Sequence, residues 1–319
     1  MKILVTGGAG FIGHYVVEQL LDKGHHVIIV DDLSKKESRQ IEGVDFIKAD
    51  LSKDSTKLFS GVDTCINLAS KIGGIGYFHK IPATILSENC KIYSSTFEAA
   101  ARCKIRRMVF LSSSMVFESA KTFPSKEEDI LTCPPPVTGY GFSKLVGEHY
   151  CRTFLSEYGL PYTIIRPFNA YGINEYPGEY VGYAHVIPDL IKKIYDRQSP
   201  IEILGDGNQT RCFTHVRDVA RAIVLATESG AAENQDFNIG TEEETRIIDL
   251  ARMLWKICGE KGEFQPKFIK GFEHDIRRRV PDSSKARKLL GWAPEIGLEH
   301  GLMEVAMFLK NAHQHNRDR

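Results

Sequence analysis

A glycine-rich turn near the start of the chain constrains the fold more than any other feature. The turn, Thr6-Gly7-Gly8-Ala9-Gly10-Phe11-Ile12-Gly13, follows an apolar run at residues 3–5 and precedes an amphipathic run at residues 15–21. These two runs predict a buried strand and a helix. Glycines at positions 7, 10 and 13 let backbone N–H groups approach a pyrophosphate, and the helix N-terminus adds partial positive charge. The turn therefore predicts a dinucleotide-binding unit.

Composition and charge indicate a soluble globular protein. With 319 residues, 42% hydrophobic and 26% charged, the chain can form one large domain or two ordinary ones. Lys+Arg and Asp+Glu both number 41, a balance that gives no support to a nucleic-acid or membrane partner. No apolar run approaches the ~18 residues that a membrane span needs.

The chain start and the cysteines bear on location. Met1 leads directly into the first predicted strand, which leaves no room for a signal peptide. The 7 cysteines are odd in number and include no C-x-x-C pair. We therefore expect a cytoplasmic protein with reduced thiols and no metal site.

The first half alternates short β-rich runs with helical patterns, which is typical of a parallel sheet with crossover helices. Past Pro167 the alternation fades. We expect an α/β fold, a Rossmann-type doubly wound parallel sheet (residues 1–166) with a smaller mixed α/β C-terminal substrate lobe (residues 167–319) interleaved with it. The predicted strands are 3–5, 26–30, 44–48, 64–68, 107–111, 162–166 and 201–204, and the predicted helices are 15–21, 82–102, 139–158, 187–195, 216–227, 247–258 and 298–309.

The residue that ends the second predicted strand distinguishes between dinucleotides. Asp31 stands there, and a carboxylate at this place binds the 2′-hydroxyl of an adenosine ribose and repels a 2′-phosphate. The sequence therefore favours NAD over NADP. Asp50 and Leu51, just past the third strand, are placed to reach the adenine, although a simple helix cap is the alternative for Asp50.

A tyrosine and a lysine with helical spacing predict the catalytic groups. Tyr140 and Lys144 share one face of the predicted helix. A free phenol has a pKa of about 10, and lowering it by about three units requires about 4 kcal/mol. A nearby ammonium and the positive charge of a nicotinamide both act in that direction. Ser113, at the end of the fifth strand, is placed to bind the same substrate oxygen, whereas Tyr-x-x-x-Lys alone also suits a surface helix pair.

Together these motifs resemble the extended short-chain dehydrogenases/reductases, in the NAD-dependent nucleotide-sugar epimerase/dehydratase family. The resemblance covers nearly the whole chain and implies NAD as the cofactor. Besides the motifs above, it rests on Asn67-Leu68-Ala69-Ser70, Arg166-Pro167-Phe168-Asn169-Ala170-Tyr171-Gly172, Gly205-Asp206-Gly207-Asn208-Gln209-Thr210-Arg211 and Arg277-Arg278-Arg279-Val280-Pro281-Asp282.

The resemblance also implies roles for individual residues. Tyr140 takes a proton from a sugar hydroxyl, usually at C4, while Lys144 holds the nicotinamide ribose and Ser113 orients the hydroxyl. Asn169, Arg211 and Arg279 are assigned to the sugar diphosphate. The implied NAD contacts are Gly7, Gly10, Phe11, Ile12, Gly13, Asp31, Asp32, Asp50, Leu51, Leu68, Ala69, Ser70, Tyr140, Lys144 and Pro167. The implied contacts with the nucleotide-diphosphate sugar are Gly74, Ile75, Ser114, Asn169, His185, Val186, Arg211 and Arg279.

Two departures from the family pattern narrow the reaction. Nucleotide-sugar 4,6-dehydratases carry Thr-Asp-Glu after the fifth strand, where this chain has Ser113-Ser114-Met115, and a thioether cannot exchange a proton. The loop at residues 71–76 resembles GDP-mannose 3,5-epimerase and GDP-fucose synthase. His185 resembles an acid of GDP-fucose synthase, although those enzymes have a Cys where this chain has Met115.

The sequence therefore favours 4-epimerisation, as in UDP-glucose 4-epimerase, through a transient 4-keto sugar. A 4-dehydrogenase or reductase, a 3,5-epimerase with altered acid/base groups, and a non-catalytic NAD-binding regulator stay open as alternatives. His185 is also compatible with a packing or capping role, and residues 277–279 with a solvated charge cluster. The family commonly dimerises through the helices predicted at 82–102 and 139–158, so we expect a homodimer.

Overall fold

The computed structural model describes residues 1–35, 41–178, 182–272 and 275–317, and a parallel sheet organises them. The strands are β1 Lys2–Thr6, β2 His26–Asp31, β3 Asp45–Lys48, β4 Thr64–Asn67, β5 Arg107–Leu111, β6 Tyr162–Pro167, β7 Ala170–Tyr171, β8 Ile201–Leu204, β9 Thr210–Arg211, β10 Thr214–His215, β11 Gln235–Ile239, β12 Thr245–Arg246 and β13 Pro266–Ile269. The helices are α1 Phe11–Asp22, α2 Ile75–Lys80, α3 Pro82–Arg102, α4 Gly139–Tyr158, α5 Val186–Tyr195, α6 Val216–Glu228, α7 Ile247–Ile257, α8 Ser284–Leu290 and α9 Leu298–Arg317.

The central sheet has seven strands in the order β11-β6-β5-β4-β1-β2-β3, and every pairing in it is parallel. The chain builds outward from β1 to β3, then returns to add β4 on the other side of β1. This reversal creates a crevice between the carboxyl ends of β1 and β4, where open α/β sheets bind their ligands. The predicted Rossmann-type α/β fold is confirmed.

Helices cover both faces of the sheet, which explains why its strands read as continuous apolar runs. On one face α1 and α6 pack over the side chains of Ile3 and Val5, both fully buried. On the other face α3 and α4 pack over Leu4, which is also fully buried. The core on this second face fixes α4, and with it the predicted catalytic face, against β5 and β6.

The C-terminal lobe has its own core and also returns to the sheet. Helices α5, α7 and α9 pack together around Leu190, Leu254 and Leu302. Within residues 167–317, however, α6 packs on α1 and β11 pairs with β6, so both elements belong to the layers of the central sheet. No helix in the described part of the chain combines the length and apolar character that crossing a bilayer requires.

The sequence did not predict strands β7 and β9 to β13 or helices α2 and α8, and two of these matter for the site. Strand β11 was missed because its sequence, Gln-Asp-Phe-Asn-Ile, has polar residues at three of five positions. Helix α2 was missed because it is short and follows a glycine-rich loop. The last helix, predicted to end at residue 309, continues to Arg317.

Candidate active site

One cleft brings together every residue that the sequence analysis assigned to cofactor, substrate or catalysis. It has a volume of ≈ 820 Å³ and is lined by residues of the sheet's carboxyl edge and of the C-terminal lobe. Separate stretches of sequence, from Gly7 to Arg279, therefore meet at one site.

The glycine turn forms a close-packed cradle at one end of the cleft. Gly7 has a φ of +69°, and its N–H donates to Val30 O at 2.8 Å. A Cβ on Gly13 would lie 2.3 Å from Gly7 O, and a Cβ on Gly7 would lie 2.8 Å from Ala69 N. Only glycine therefore allows the turn and the start of α1 to close this tightly. This backbone cradle fits the pyrophosphate that the motif predicts.

The acidic residues beside the cradle are held in place by backbone donors. The carboxylate of Asp31, 9% exposed at the end of β2, accepts from Ala9 N at 3.2 Å and from Leu33 N at 2.9 Å. Burial raises the pKa of this carboxyl, and the two backbone hydrogen bonds oppose that change. Asp50 lines the cleft and also closes a turn, because its Oδ1 accepts from Ser52 N at 3.0 Å.

Helix α4 carries the predicted base into the cleft. Its N-cap, Thr138, accepts from Gly141 N at 3.1 Å, which fixes the first turn that holds Tyr140. The Tyr140 ring stacks on Phe78, with ring centroids 4.5 Å apart and planes 6° apart. Ser113 lies near enough to the Tyr140 hydroxyl to act on its pKa, which it lowers. Both predicted residues, the tyrosine and the serine, line the same part of the cleft.

Burial and groups other than Lys144 also affect the pKa of the Tyr140 phenol. The pKa of Tyr140 is raised above its ordinary value, because burial outweighs the opposing effects of Ser113 and of the charge of Arg279. The Lys144 ammonium donates to Leu111 O at 2.8 Å and lies 5.8 Å from the Tyr140 ring centroid. Burial lowers the pKa of Lys144 to about 7.

Two arginines at the other end of the cleft, Arg211 and Arg279, each donate to a polar side chain. Arg211 donates from Nη2 to Asp275 Oδ1 at 2.9 Å, and Arg279 donates from Nη1 to Asn169 Oδ1 at 3.3 Å. Arg277 is exposed, paired with Asp206, and lies outside the cleft. Of the predicted cluster at residues 277–279, Arg279 is the member that lines the cleft.

The glycine-rich loop at residues 71–76, called the glycine loop below, forms backbone hydrogen bonds with the C-terminal lobe. Gly74 N donates to Tyr183 O and Gly76 N donates to Gly182 O, both at 2.8 Å. A Cβ on Gly74 would lie 2.3 Å from both Gly182 O and Ala184 O. The loop then leads into α2, which brings Phe78 onto Tyr140. Nothing in the sequence pattern signalled this role of Phe78.

His185 precedes α5 at its N-cap position and forms an ion pair with Glu175 through Nδ1. Burial lowers the pKa of His185, but the charge and hydrogen bond of Glu175 outweigh it, so the pKa is raised overall. Both residues line the cleft. The sequence analysis missed Glu175, because an isolated glutamate in a loop carries no pattern.

A buried ion pair behind the site was also missed. Arg166 binds Glu148 with two hydrogen bonds of 2.7 Å, and both side chains are fully buried. Ser112, next to Ser113, donates from Oγ to Glu148 Oε1 at 2.7 Å. Glu148 lies one turn after Lys144 on α4, a spacing that could have revealed it. The network therefore ties α4 to the ends of β5 and β6.

Comparisons with known proteins identify the family of this chain. The family model described as the NAD dependent epimerase/dehydratase family matches residues 3–240. The putative UDP-glucose 4-epimerase of Methanocaldococcus jannaschii is 34% identical over 97% of this chain and 98% of its own. The crystal structure of UDP-glucose 4-epimerase from Thermotoga maritima with UDP-glucose has a TM-score of 0.87 and 32% identity, covering 98% of this chain and 100% of that one.

A further solved structure contains the cofactor. UDP-glucuronic acid 4-epimerase from Bacillus cereus, in complex with UDP-glucuronic acid and NAD, has a TM-score of 0.86 and 29% identity over 98% of this chain and 100% of its own. The cradle at Gly7 and Gly13 and the carboxylate of Asp31 fit the same cofactor here. The extent of the family match shows that this chain is an enzyme of the NAD-dependent epimerase/dehydratase family.

Proposed function

We propose that this enzyme is a nucleotide-sugar 4-epimerase. The observation that carries the proposal is the placement of Ser113 and the Tyr140 phenol, beside Met115, in one cleft of ≈ 820 Å³ that the glycine turn also lines. These groups are suited to taking a proton from an alcohol and returning it. The neighbouring thioether adds no acid or base that could drive a second reaction.

The chain's residues have separate tasks in holding the cofactor. The N–H groups of the glycine turn bind the pyrophosphate, Asp31 binds the hydroxyls of the adenosine ribose, and Lys144 binds the nicotinamide ribose. When bound, NAD supplies a reversible hydride acceptor for the sugar carbon. These cofactor-binding residues do not suit NADP, because the Asp31 carboxylate would repel its 2′-phosphate.

Tyr140 carries out the proton transfer, and Ser113 assists it. Ser113 donates a hydrogen bond to the C4 oxygen of the sugar. The Tyr140 phenolate takes the proton of the C4 hydroxyl as C4 becomes a ketone. Arg211 and Asn169 hold the diphosphate, since guanidinium and amide donors suit phosphate oxygens. With the diphosphate fixed, the keto sugar would turn and present its other face, so that the hydride would return to that face of C4 while Tyr140 gives the proton back to the C4 oxygen.

Met115 argues against the two alternatives that need a further proton transfer at carbon. Elimination of water across C5 and C6 needs an acid and a base after β5, and deprotonation at C3 or C5 needs a base. A methionine serves neither purpose. His185, held by Glu175, is the residue that would favour a 3,5-epimerase, and the experiment below separates that reaction from 4-epimerisation.

The test is incubation of the purified enzyme with UDP-, GDP- and CDP-hexoses in D2O. A 4-epimerase produces a new 4-epimer without net NADH absorbance and without deuterium at C3 or C5. Deuterium at C3 or C5 would indicate a 3,5-epimerase, stoichiometric NADH a dehydrogenase, and a 4-keto-6-deoxy sugar a dehydratase. Absence of any reaction while NAD binds would favour a regulator.

We also propose that the enzyme is a homodimer that associates through the outward faces of α3 and α4. Phe142 is 40% exposed and Tyr158 is 59% exposed near the two ends of α4, which leaves apolar surface for a second copy. Light scattering at micromolar concentration should give twice the chain mass. A monomer would contradict this assembly.

A further inference from the structure

One face of α5 lines the cleft for two helical turns beyond His185. Asp189 and Lys193 follow His185 at intervals of four residues, and all three side chains line the cleft. At a rise of 1.5 Å per residue, Lys193 lies about 12 Å along the helix axis from His185. The proposed reaction uses neither Asp189 nor Lys193, so this face of α5 carries two charged groups whose task is unassigned.

Hydrogen bonds join this face of α5 to the segment that carries Arg211. Lys193 donates from Nζ to Glu202 O of β8 at 2.9 Å. Gln209 donates from Nε2 to Leu204 O, also of β8, at 2.8 Å. Because Gln209 is two positions before Arg211, the end of the cleft formed by α5 and β8 adjoins the residue proposed to hold the diphosphate.

The reacting end of the cleft lies on the other side of the arginines. Arg279 donates to Asn169 Oδ1 at 3.3 Å and contacts Met115 Sδ at 2.9 Å, and Met115 packs in one cluster with Tyr140. A nucleotide sugar that is held by Arg211 at its diphosphate, with its sugar at Tyr140, therefore places its nucleoside against α5 and β8.

Asp189 and Lys193 form a largely buried ion pair at this nucleoside end. Asp189 Oδ2 lies 2.8 Å from Lys193 Nζ, and the two side chains are 17% and 11% exposed. An ammonium has three donors, of which Asp189 and Glu202 O take two. Asp189 Oδ1 has no hydrogen-bond partner within the described ranges of the chain. The pair therefore keeps one N–H donor and one carboxylate oxygen for a ligand.

Gln209 adds a second acceptor at the same end. Its side chain lines the cleft and is 6% exposed, and its Oε1 is buried without a hydrogen-bond partner among the residues that the structure describes. Since an unpaired buried amide oxygen costs free energy, this end favours a ligand with N–H donors. Leu190 of α5 and Leu204 of β8 also line the cleft, and such aliphatic side chains suit the faces of a flat ring.

We propose that this end of the cleft binds guanine, and that the enzyme acts on sugars carried by guanosine diphosphate. Guanine presents its O6 carbonyl beside the N1–H and N2–H donors, which match the Lys193 ammonium and the Asp189 carboxylate. Uracil places its one N–H between two carbonyl oxygens, which a carboxylate repels. Cytosine has a ring-nitrogen acceptor beside its amine, and adenine lacks the carbonyl.

The test is calorimetric titration of the NAD-saturated enzyme with GDP, UDP, CDP and ADP, without any sugar. Saturation with NAD keeps these nucleotides out of the cofactor site. Asp189→Asn keeps the size of the side chain and removes the carboxylate. The matched control is Asp196→Asn, because Asp196 forms an ion pair of the same four-residue spacing with Lys192, and both of those side chains are exposed. The NAD affinity of each variant reports whether its fold is intact.

We expect the wild type to bind GDP at least about tenfold more tightly than UDP, CDP or ADP, as a bidentate contact to a base edge allows. Asp189→Asn should lower GDP affinity about tenfold and change UDP affinity less than about threefold. Asp196→Asn should bind all four nucleotides like the wild type. The inference is overturned if UDP or CDP binds the wild type as tightly as GDP, if Asp189→Asn keeps the preference for GDP, or if no nucleotide binds.

The inference rests on the proposed function only in that the cleft takes a nucleotide-diphosphate sugar, so the two can fail separately. If GDP binds as expected while GDP-hexoses are not epimerised, the guanine site stands and the 4-epimerase assignment fails. If a UDP-hexose is epimerised while GDP binds weakly, the reaction stands and the guanine site is overturned.

Discussion

The ring of Phe78 lies face to face on the ring of Tyr140, with centroids 4.5 Å apart. The phenylalanine comes from α2 and the tyrosine from α4, so the glycine loop that precedes α2 determines how the base is oriented. Offset aromatic stacking contributes about 0.5–1.5 kcal/mol beyond area burial. The contact therefore suffices to hold the phenol in one orientation.

Phe78→Leu should lower kcat by up to about tenfold, because the phenol loses that restraint while an apolar side chain still fills the space. NAD affinity should not change, since the nucleotide cradle is formed by other residues. Steady-state kinetics and calorimetric titration with NAD check both statements. Phe268→Leu, at a side chain 52% exposed on β13, is the matched control. Equal kcat in the two variants would contradict the positioning role.

Tyr140→Phe should retain NAD affinity and lower turnover by about 10²–10⁴-fold, the usual contribution of a general base. The substitution keeps the ring stacked on Phe78 and removes only the hydroxyl. Tyr195→Phe, whose hydroxyl donates to Ala306 O at 2.9 Å in the C-terminal lobe, is the control and should stay active. Turnover in Tyr140→Phe that matches the wild type would remove Tyr140 from the base role.

Gly13→Ala should weaken NAD binding at least about tenfold, because an added Cβ would lie 2.3 Å from Gly7 O and force the turn open. Gly230→Ala is the control, since a Cβ there meets nothing within 4 Å. Calorimetric titration with NAD measures both variants. If Gly13→Ala binds NAD as tightly as the control, the turn is not the pyrophosphate site.

Glu148→Gln should destabilise the protein by about 1–3 kcal/mol, because the buried guanidinium of Arg166 keeps Asp236 but loses the charge of its fully buried partner. Urea unfolding followed by circular dichroism gives the free energy of unfolding. Glu98→Gln, which breaks an exposed pair with Arg102 at 3.4 Å, should change it by less than about 1 kcal/mol. Similar losses in the two variants would show that burial adds nothing to the Glu148 pair.

The effect of Lys144 on stability should depend on pH. Burial lowers its pKa from 10.5 to about 7, so between these values the unfolded chain binds a proton that the folded protein does not. The contribution of Lys144 therefore rises with pH through this window and is least favourable near pH 7. Lys144→Met should accordingly gain stability relative to the wild type as pH falls from 10 to 7. Parallel urea midpoints for the two proteins across that range would contradict the lowered pKa.

The sequence was most informative where one physical pattern dominates. Helices α3 and α4 have the predicted bounds, because Pro82 starts one and Gly159, with a φ of +67°, ends the other. The residues assigned to the cofactor line one cleft, because parallel strands place their carboxyl ends at the same edge.

The rest depended on contacts that no local pattern encodes. The sequence of strand β11 is polar because two of its side chains form tertiary hydrogen bonds. Asp236 accepts from Arg166, and Asn238 donates to the carbonyl oxygen of Ser125. Likewise, the stacking of Phe78 and the approach of Arg279 to Met115 arise only when distant segments meet. Periodicity cannot predict such pairs, since they lie in short or irregular segments.

The late position of β11 in the chain affects how the protein forms on the ribosome. Tyr162, which begins β6, hydrogen-bonds to Asn234 beside β11, 72 positions later. While those residues are still being synthesised, the edge of β6 is unpaired, and Arg166 has Glu148 but lacks Asp236. The unpaired edge of β6 can therefore pair with a strand of a neighbouring unfinished chain. Rapid translation of residues 168–239, or a chaperone bound to β6, should raise the yield of folded enzyme.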